Sequence, residues 1–161
     1  MLKIRPLQSD DKTDLSVLLI STFDQPNELN LVRALREQDK CALELVAVDD
    51  TGLVGYICLS KLDAPQGWLA LAPMCVRNEN QGTGVGREMV LYALDQARQM
   101  HFDAVVVVGH PDYYKRHGFV FGGPVHLSSP YPEDYTGLYL IHPGITETEH
   151  RLVYPEPFDN V

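Results

Sequence analysis

The stretch from Trp68 to Val108 constrains this chain most, because it reads as strand, glycine turn, helix and strand in unbroken succession. Trp68 to Val76 is nearly continuous in apolar character, the pattern of a strand covered on both faces and so of one near the centre of a sheet. From Gly84 onward Val85, Met89, Val90, Ala93, Leu94, Ala97 and Met100 recur at the spacing that lines one face of a long helix. Ala104-Val105-Val106-Val107-Val108 is too short and too β-branched for anything but an interior strand. A strand–helix–strand crossover sets its two strands parallel, so the chain must build a sheet containing a parallel pair with a helix packed on it.

The flanking segments extend that unit. Lys3 to Leu7 alternates like a strand, and Ser9-Asp10-Asp11 supplies cap-type residues before an apolar helix over Leu15 to Phe23. After Pro26-Asn27, the residues Leu29, Leu31, Val32 and Leu35 recur at helical spacing up to Gln38. Leu43 to Val48 and Leu53 to Leu62 are strands joined by the tight turn Asp49-Asp50-Thr51-Gly52, hence antiparallel. Beyond the crossover, Pro111 to His117 forms one or two helical turns closed by Gly118, and Phe119 to Phe121 returns to extended chain. Leu138 to Ile141 and Arg151 to Tyr154 are the last strand-like runs before Pro155-Glu156-Pro157 stops regular pairing. The order β-α-α-β-β-β-α-β-α-β-β predicts an α/β chain with one mixed sheet, and 161 residues is the usual size of one domain.

With 13 basic and 22 acidic side chains the net charge is −9, a field that repels phosphate backbones and anionic lipid, so neither nucleic acid nor a membrane surface is an expected partner. No apolar run approaches the ~20 residues of a transmembrane helix, and the amino terminus lacks the apolar core of a signal peptide, so a cytoplasmic location is expected. Cys41, Cys58 and Cys75 are widely spaced and are read as reduced thiols. The histidines His101, His117, His126, His142 and His150 show no metal-ligand spacing, so no metal is expected.

One anion can still be held on such a chain. The turn Val76-Arg77-Asn78-Glu79-Asn80-Gln81-Gly82-Thr83-Gly84-Val85-Gly86-Arg87 has glycines at alternate positions and opens a helix whose first N–H groups lack intrahelical partners. Backbone amides reinforced by the helix dipole make it a cradle for a pyrophosphate; the alternative is a tight strand-to-helix turn with no ligand. A dinucleotide-binding Gly-x-Gly-x-x-Gly beginning at Gly82 fails at Arg87, and a P-loop fails at Arg87-Glu88.

What the turn does fit is Gln/Arg-x-x-Gly-x-Gly/Ala, as Gln81-Gly82-Thr83-Gly84-Val85-Gly86, and here the chain resembles the GCN5-related N-acetyltransferase (GNAT) superfamily. In that family the motif lies between the fourth strand and the third helix, where the strand count puts it, and binds the pyrophosphate of acetyl-coenzyme A. Downstream, Tyr113-Tyr114-Lys115-Arg116-His117-Gly118-Phe119 resembles the second signature, Tyr-x-x-x-Gly-Phe, which follows the fifth strand. Gly109-His110-Pro111-Asp112 in front of it makes the chain similar to small bacterial acetyltransferases with the pattern Gly-x-Pro-x-Tyr-Tyr-x-Arg-x-Gly-Phe. The likeness runs from about Leu2 to Phe121 and is closest over 68 to 122.

The resemblance implies a GNAT-like acyl-CoA N-acyltransferase fold, a central mixed β-sheet flanked by helices in a single domain over 1–161, with the coenzyme core at about 68–122 and C-terminal strands at about 134–156. It implies acetyl-CoA as acetyl donor, with Met74, Cys75 and Val76 along the pantetheine arm and Gln81, Gly82, Thr83, Gly84, Val85, Gly86 and Arg87 at the pyrophosphate; Arg87 either contacts a phosphate or projects into solvent. It implies Tyr114 as general acid to the coenzyme sulfur, a phenol being protonated at neutral pH, with Tyr113 pointing elsewhere, into packing. The backbone N–H of Val76 or Cys75 polarises the thioester carbonyl. Glu28 and His110 are candidate general bases, though each reads more readily as an ordinary surface or capping residue, and water is the remaining candidate. Many members carry an asparagine seven residues before the tyrosine; Val107 stands there. The acceptor is a primary amine of a small molecule or protein, with walls from Leu29 to Gln38 and His126 to Tyr139, in particular the tyrosines and acids of Ser128 to Tyr135. A possible homodimer follows from exposed C-terminal strands. The reading from a different class is a non-catalytic acyl-CoA-binding sensor with the same fold, and a third is a nucleotide-binding protein using the same loop.

Overall fold

The computed structural model describes residues 1–161. Its element order is β1 (Lys3–Pro6), α1 (Lys12–Phe23), α2 (Asn27–Glu37), β2 (Cys41–Asp49), β3 (Gly52–Lys61), β4 (Trp68–Val76), α3 (Val85–Gln99), β5 (Ala104–Val108), α4 (Pro111–Lys115), β6 (His126–Ser128), β7 (Thr136–Leu140) and β8 (Glu149–Arg151). Six strands form one mixed sheet in the order β1-β2-β3-β4-β5-β7, and β6 pairs with β8 apart from it. Within the six-stranded sheet the pairings are antiparallel except β4 with β5, the parallel pair expected of the crossover, and β6 and β8 are also parallel.

The two faces of the sheet carry separate apolar layers. Leu45, Ile57, Leu69 and Val105 meet Met89, Val90 and Ala93 of α3 in the larger one, and Val46, Tyr56 and Cys75 meet Leu15, Leu19 and Val32 of the α1–α2 pair in the other. Complete burial of one such side chain contributes roughly 1.5–3 kcal/mol. A bidentate ion pair from Arg36 to Glu44, at 2.7 and 3.1 Å, ties α2 to β2, and the buried Tyr56 hydroxyl donates to the same carboxylate at 2.6 Å. That tie fixes how α2 stands over the end of β4.

The sheet splits where β4 and β5 leave each other. Only Trp68, Ala70 and Leu69 between them pair with β5, opposite Ala104, Val106 and Val105. The register of β4 on β3 then slips between Leu71 and Met74, where Pro73 has no N–H to give to a ladder; Ser60 Oγ donates to the Ala72 carbonyl there at 2.9 Å. From Ala72 to Val76 the β5-facing edge of β4 has no strand beside it.

Differences from the sequence expectations lie at the margins. Met100 follows the last turn of α3 and is exposed, not part of the buried face. Phe119 to Phe121 is not a strand; Val120 alone bridges Leu138. The last strand is Glu149–Arg151 and not Arg151 to Tyr154, with Val153 making an isolated bridge to Ala64. His126–Ser128 is a strand too short to leave a period in the sequence. After it, the chain ends in a 3-10 turn over Glu156–Asn160 that sets Phe158 against Leu31 and Leu35 of α2.

Candidate active site

The glycine turn uses its glycines for different reasons. Gly82 and Gly84 hold φ of +78° and +95°, a left-handed backbone that L side chains resist, with open space where a Cβ would stand. Gly86 has ordinary helical backbone, but a Cβ there would lie 2.7 Å from Tyr113 Oη. The first bond closing α3 at this end runs from the Glu88 N–H to the Gly84 carbonyl at 3.0 Å, so the N–H groups from Gly82 to Arg87 precede the helix ladder and stand free. Gln81 steadies the loop by donating from Nε2 to the Val76 carbonyl at 3.1 Å.

That bond also orients β4. The Arg77 N–H donates to Val54 of the neighbouring chain segment at 2.8 Å, and successive residues of an antiparallel strand face opposite sides. Met74 and Val76 therefore present their N–H and C=O to the open edge, while those of Cys75 face β3. The Cys75 side chain is buried toward α1 and α2, and that burial, with Glu28 nearby as a lesser contribution, pushes its thiol up to about 12.

A pocket of about 440 Å³ lies over the loop, lined by Met74, Cys75, Val76, Asn80, Gln81, Gly82, Gly84, Gly86 and Arg87 and closed by Tyr113, Arg116 and His117. Neither Arg87 nor Arg116 enters an ion pair, so two unspent guanidinium groups stand here on an acidic chain. His117 is 5% exposed; its Nδ1 lies 3.0 Å from the Tyr113 carbonyl, and its Nε2 is buried without a partner. Burial first, then Arg87 and Arg116, hold its pKa below the usual imidazole value against the opposing pull of the Tyr113 carbonyl.

A second cavity, of about 290 Å³, opens on the other side of Met74, between the separating ends of β4 and β5. Its walls include Phe23, Glu28 and Leu31 of the helix pair, Val107 and Val108 of β5, Tyr114, and Tyr131, Tyr154 and Phe158 from the C-terminal chain. Tyr114 stands edge-on to Tyr113 at 5.0 Å between ring centroids and fills the space a side chain at Gly109 would need. Its burial pushes the phenol up to about 12, so it is a protonated donor across the physiological range. Gln25 Nε2 donates to Glu28 Oε1 at 3.1 Å.

Of the residues singled out in the sequence, Met74 to Val76 and the loop from Gln81 to Arg87 thus gather round one pocket, and Tyr114 stands beside it. Thr83 turns its hydroxyl back to the Asn80 carbonyl, and Val85 is buried in the core under α3. Glu28 reaches the cavity; His110 is an exposed residue capping α4 and does not. Tyr113 does not go into packing away from the site, but faces Gly86 across the loop pocket. In the segment Ser128 to Tyr135 only Tyr131 lines the second cavity; Glu133 accepts instead from the Leu127 N–H at 2.8 Å. Arg116 and His117 were not recognised as pocket residues. Their spacing of three and four from Tyr113 puts them on its face of the helical turn, but that this face meets the glycine loop is set by the tertiary fold. No group of three or more His, Cys, Asp or Glu side chains is arranged to hold a metal ion, and no helix is long and apolar enough to cross a membrane.

Residues 5–119 match the family model described as the acetyltransferase (GNAT) family. The chain is 37% identical over 114 residues to the uncharacterized N-acetyltransferase YhbS of Escherichia coli (strain K12), 68% of each chain being covered. It is 33% identical over 131 residues to the uncharacterized N-acetyltransferase YjhQ of the same strain, 76% of this chain and 72% of that one. Among solved structures, Escherichia coli YhbS in complex with CoA matches with a TM-score of 0.86 and 29% identity over 98% of this chain and 92% of that one. A GNAT family acetyltransferase from Brucella melitensis in complex with acetyl-CoA matches with a TM-score of 0.83 and 25% identity over 99% of both. The chain belongs to the GNAT acetyltransferase family.

Proposed function

We propose that the chain is an acetyl-CoA-dependent N-acetyltransferase of the cytoplasm that acetylates a primary amine of a small molecule or protein. One observation carries the reading: the unpaired edge of β4 runs between a loop of free N–H groups flanked by two unspent arginines and a cavity walled by a protonated tyrosine. The loop from Gln81 to Arg87, with Arg116, holds the pyrophosphate, where dipole and guanidinium charge override the acidic surface locally. The pantetheine arm bonds to Met74 and Val76 as an added strand, and Cys75 supports it from within the core. The relatives crystallised with CoA and acetyl-CoA support acetyl-CoA as the donor.

The chemistry then follows from the groups at hand. The acceptor ammonium gives one proton to solvent and its lone pair attacks the thioester carbon, forming the C–N bond. The Val76 N–H stabilises the oxyanion. As the C–S bond breaks, the Tyr114 hydroxyl holds the departing thiolate by a hydrogen bond, and the thiolate takes up the proton that the new amide nitrogen must lose. An acyl-enzyme through Cys75 is disfavoured, because a thiol pushed up to about 12 carries almost no thiolate at neutral pH. The test is calorimetric titration with acetyl-CoA followed by free-thiol release over an amine panel. Single-site binding with amine-dependent thiol release is expected; no binding refutes the proposal, and binding without turnover on any amine returns the non-catalytic sensor.

A further inference from the structure

Resting on the acetyl-transfer reading, we infer that the acceptor is a small primary monoamine with an apolar body, an alkyl or arylalkyl amine, whose ammonium group is held by Glu28. Glu28, a residue only 9% exposed, stands in the first turn of α2 and lines the cavity between β4 and β5. No lysine, arginine or histidine comes within 4 Å of it. What it has is the amide of Gln25, at 3.1 and 3.4 Å from its two oxygens, and the N-terminal dipole of its own helix. A buried carboxylate is ordinarily matched by a cation. Here the missing cation is one the cavity admits.

The rest of the wall says what the cation is attached to. Glu28 is the one charged side chain lining the cavity, and fourteen of the sixteen lining residues are hydrophobic. Tyr131 and Tyr154 meet edge to face at 4.9 Å, and Tyr154 and Phe158 at 5.3 Å, which gives an aromatic wall for a ring or an alkyl chain. Beyond Glu28 the only polar side-chain atoms on the wall are the hydroxyls of Tyr114, Tyr131 and Tyr154, with no second acidic side chain for a second ammonium and too few partners for the several hydroxyls of an amino sugar or the amides of a peptide. About 290 Å³ is at the small end of ligand cavities. Glu133 is engaged by the Leu127 N–H and does not line this wall.

The experiment compares kcat/KM by thiol release, at saturating acetyl-CoA, for 2-phenylethylamine and hexylamine against spermidine, glucosamine and a lysine-containing peptide. The first two are expected to be at least tenfold better than each of the others. In Glu28→Gln, which keeps the shape and loses the charge, KM for the apolar amine should rise at least tenfold, while acetyl-CoA affinity and Tm are unchanged; a structural role would lower Tm instead. A preference for spermidine, glucosamine or the peptide, or an unaltered amine KM in Glu28→Gln, overturns the inference while acetyl transfer itself stands. Absent acetyl-CoA binding refutes the acetyl-transfer reading, and this inference with it.

Discussion

Replacing Tyr114 by phenylalanine separates two jobs a phenol can do at a breaking C–S bond. Burial pushes the hydroxyl up to about 12, with Tyr113 adding to the effect and no hydrogen bond opposing it. A coenzyme thiol titrates near ~8.5, like an ordinary cysteine. Complete transfer of the proton from such a phenol to the free thiolate therefore runs uphill by roughly 5 kcal/mol. What Tyr114 offers at low cost is a hydrogen bond to sulfur as its charge develops, worth about 1.5–3 kcal/mol for an ionised acceptor. Tyr114→Phe should lower kcat about 10- to 150-fold, less than the ~10⁴ at the upper end of general acid catalysis. The acetyl-CoA dissociation constant, measured by calorimetry, should stay within about twofold. Because the ring and its contact with Phe119 at 5.7 Å remain, Tm should move by no more than about 2 °C. A kcat unchanged within experimental error, or one lowered ten-thousandfold, would refute this reasoning from opposite directions.

Gly84→Ala meets no atom within 4 Å but must hold φ +95°, so its cost is backbone strain of about 1–2 kcal/mol, a Tm lower by about 3–6 °C, and Gly84→Asn should lose less; an alanine variant as stable as the parent would show the loop to be elsewhere. The lowered pKa of His117 means that the unfolded chain takes up its proton first, so the stability from the neutral imidazole is complete above about 6.5 and declines as pH falls toward the lower folded value. Denaturation at pH 5 and pH 7.5 should show the parent losing stability relative to His117→Gln on acidification, and a constant difference would contradict it. Tyr154→Phe removes a buried hydroxyl with no partner and should raise stability by about 1 kcal/mol, a Tm gain of about 2–4 °C by calorimetric scan; a loss would mean that the hydroxyl is bonded.

Where a period was long and clean, the fold was legible in the residues. Trp68–Val76 and Ala104–Val108 match the expected strands end for end, and α3 differs only at Met100, where the helix had already closed. Three-residue strands such as His126–Ser128 pair by tertiary placement and leave no period to read. The same division holds at the site. The glycine turn carries its meaning in contiguous residues, so it was found with its helix. Arg116 and His117 enter the pocket because α4 folds back over that turn, and Tyr154 and Phe158 reach the second cavity from the far end of the chain. No local pattern announces such contacts. Glu28 was legible as an acid near the acceptor entrance; that it is buried without a cation is visible only when the helix pair is set on the sheet.

The split between β4 and β5 as the coenzyme cleft is the claim on which the rest depends, and a crystal structure of the protein with coenzyme A tests it most directly. The bound coenzyme should lie with its pyrophosphate on the N–H groups between Gly82 and Arg87, its pantetheine amides bonded to Met74 and Val76, and its sulfur beside Tyr114. Coenzyme bound elsewhere on the protein, with the edge of β4 from Ala72 to Val76 left vacant, would contradict it.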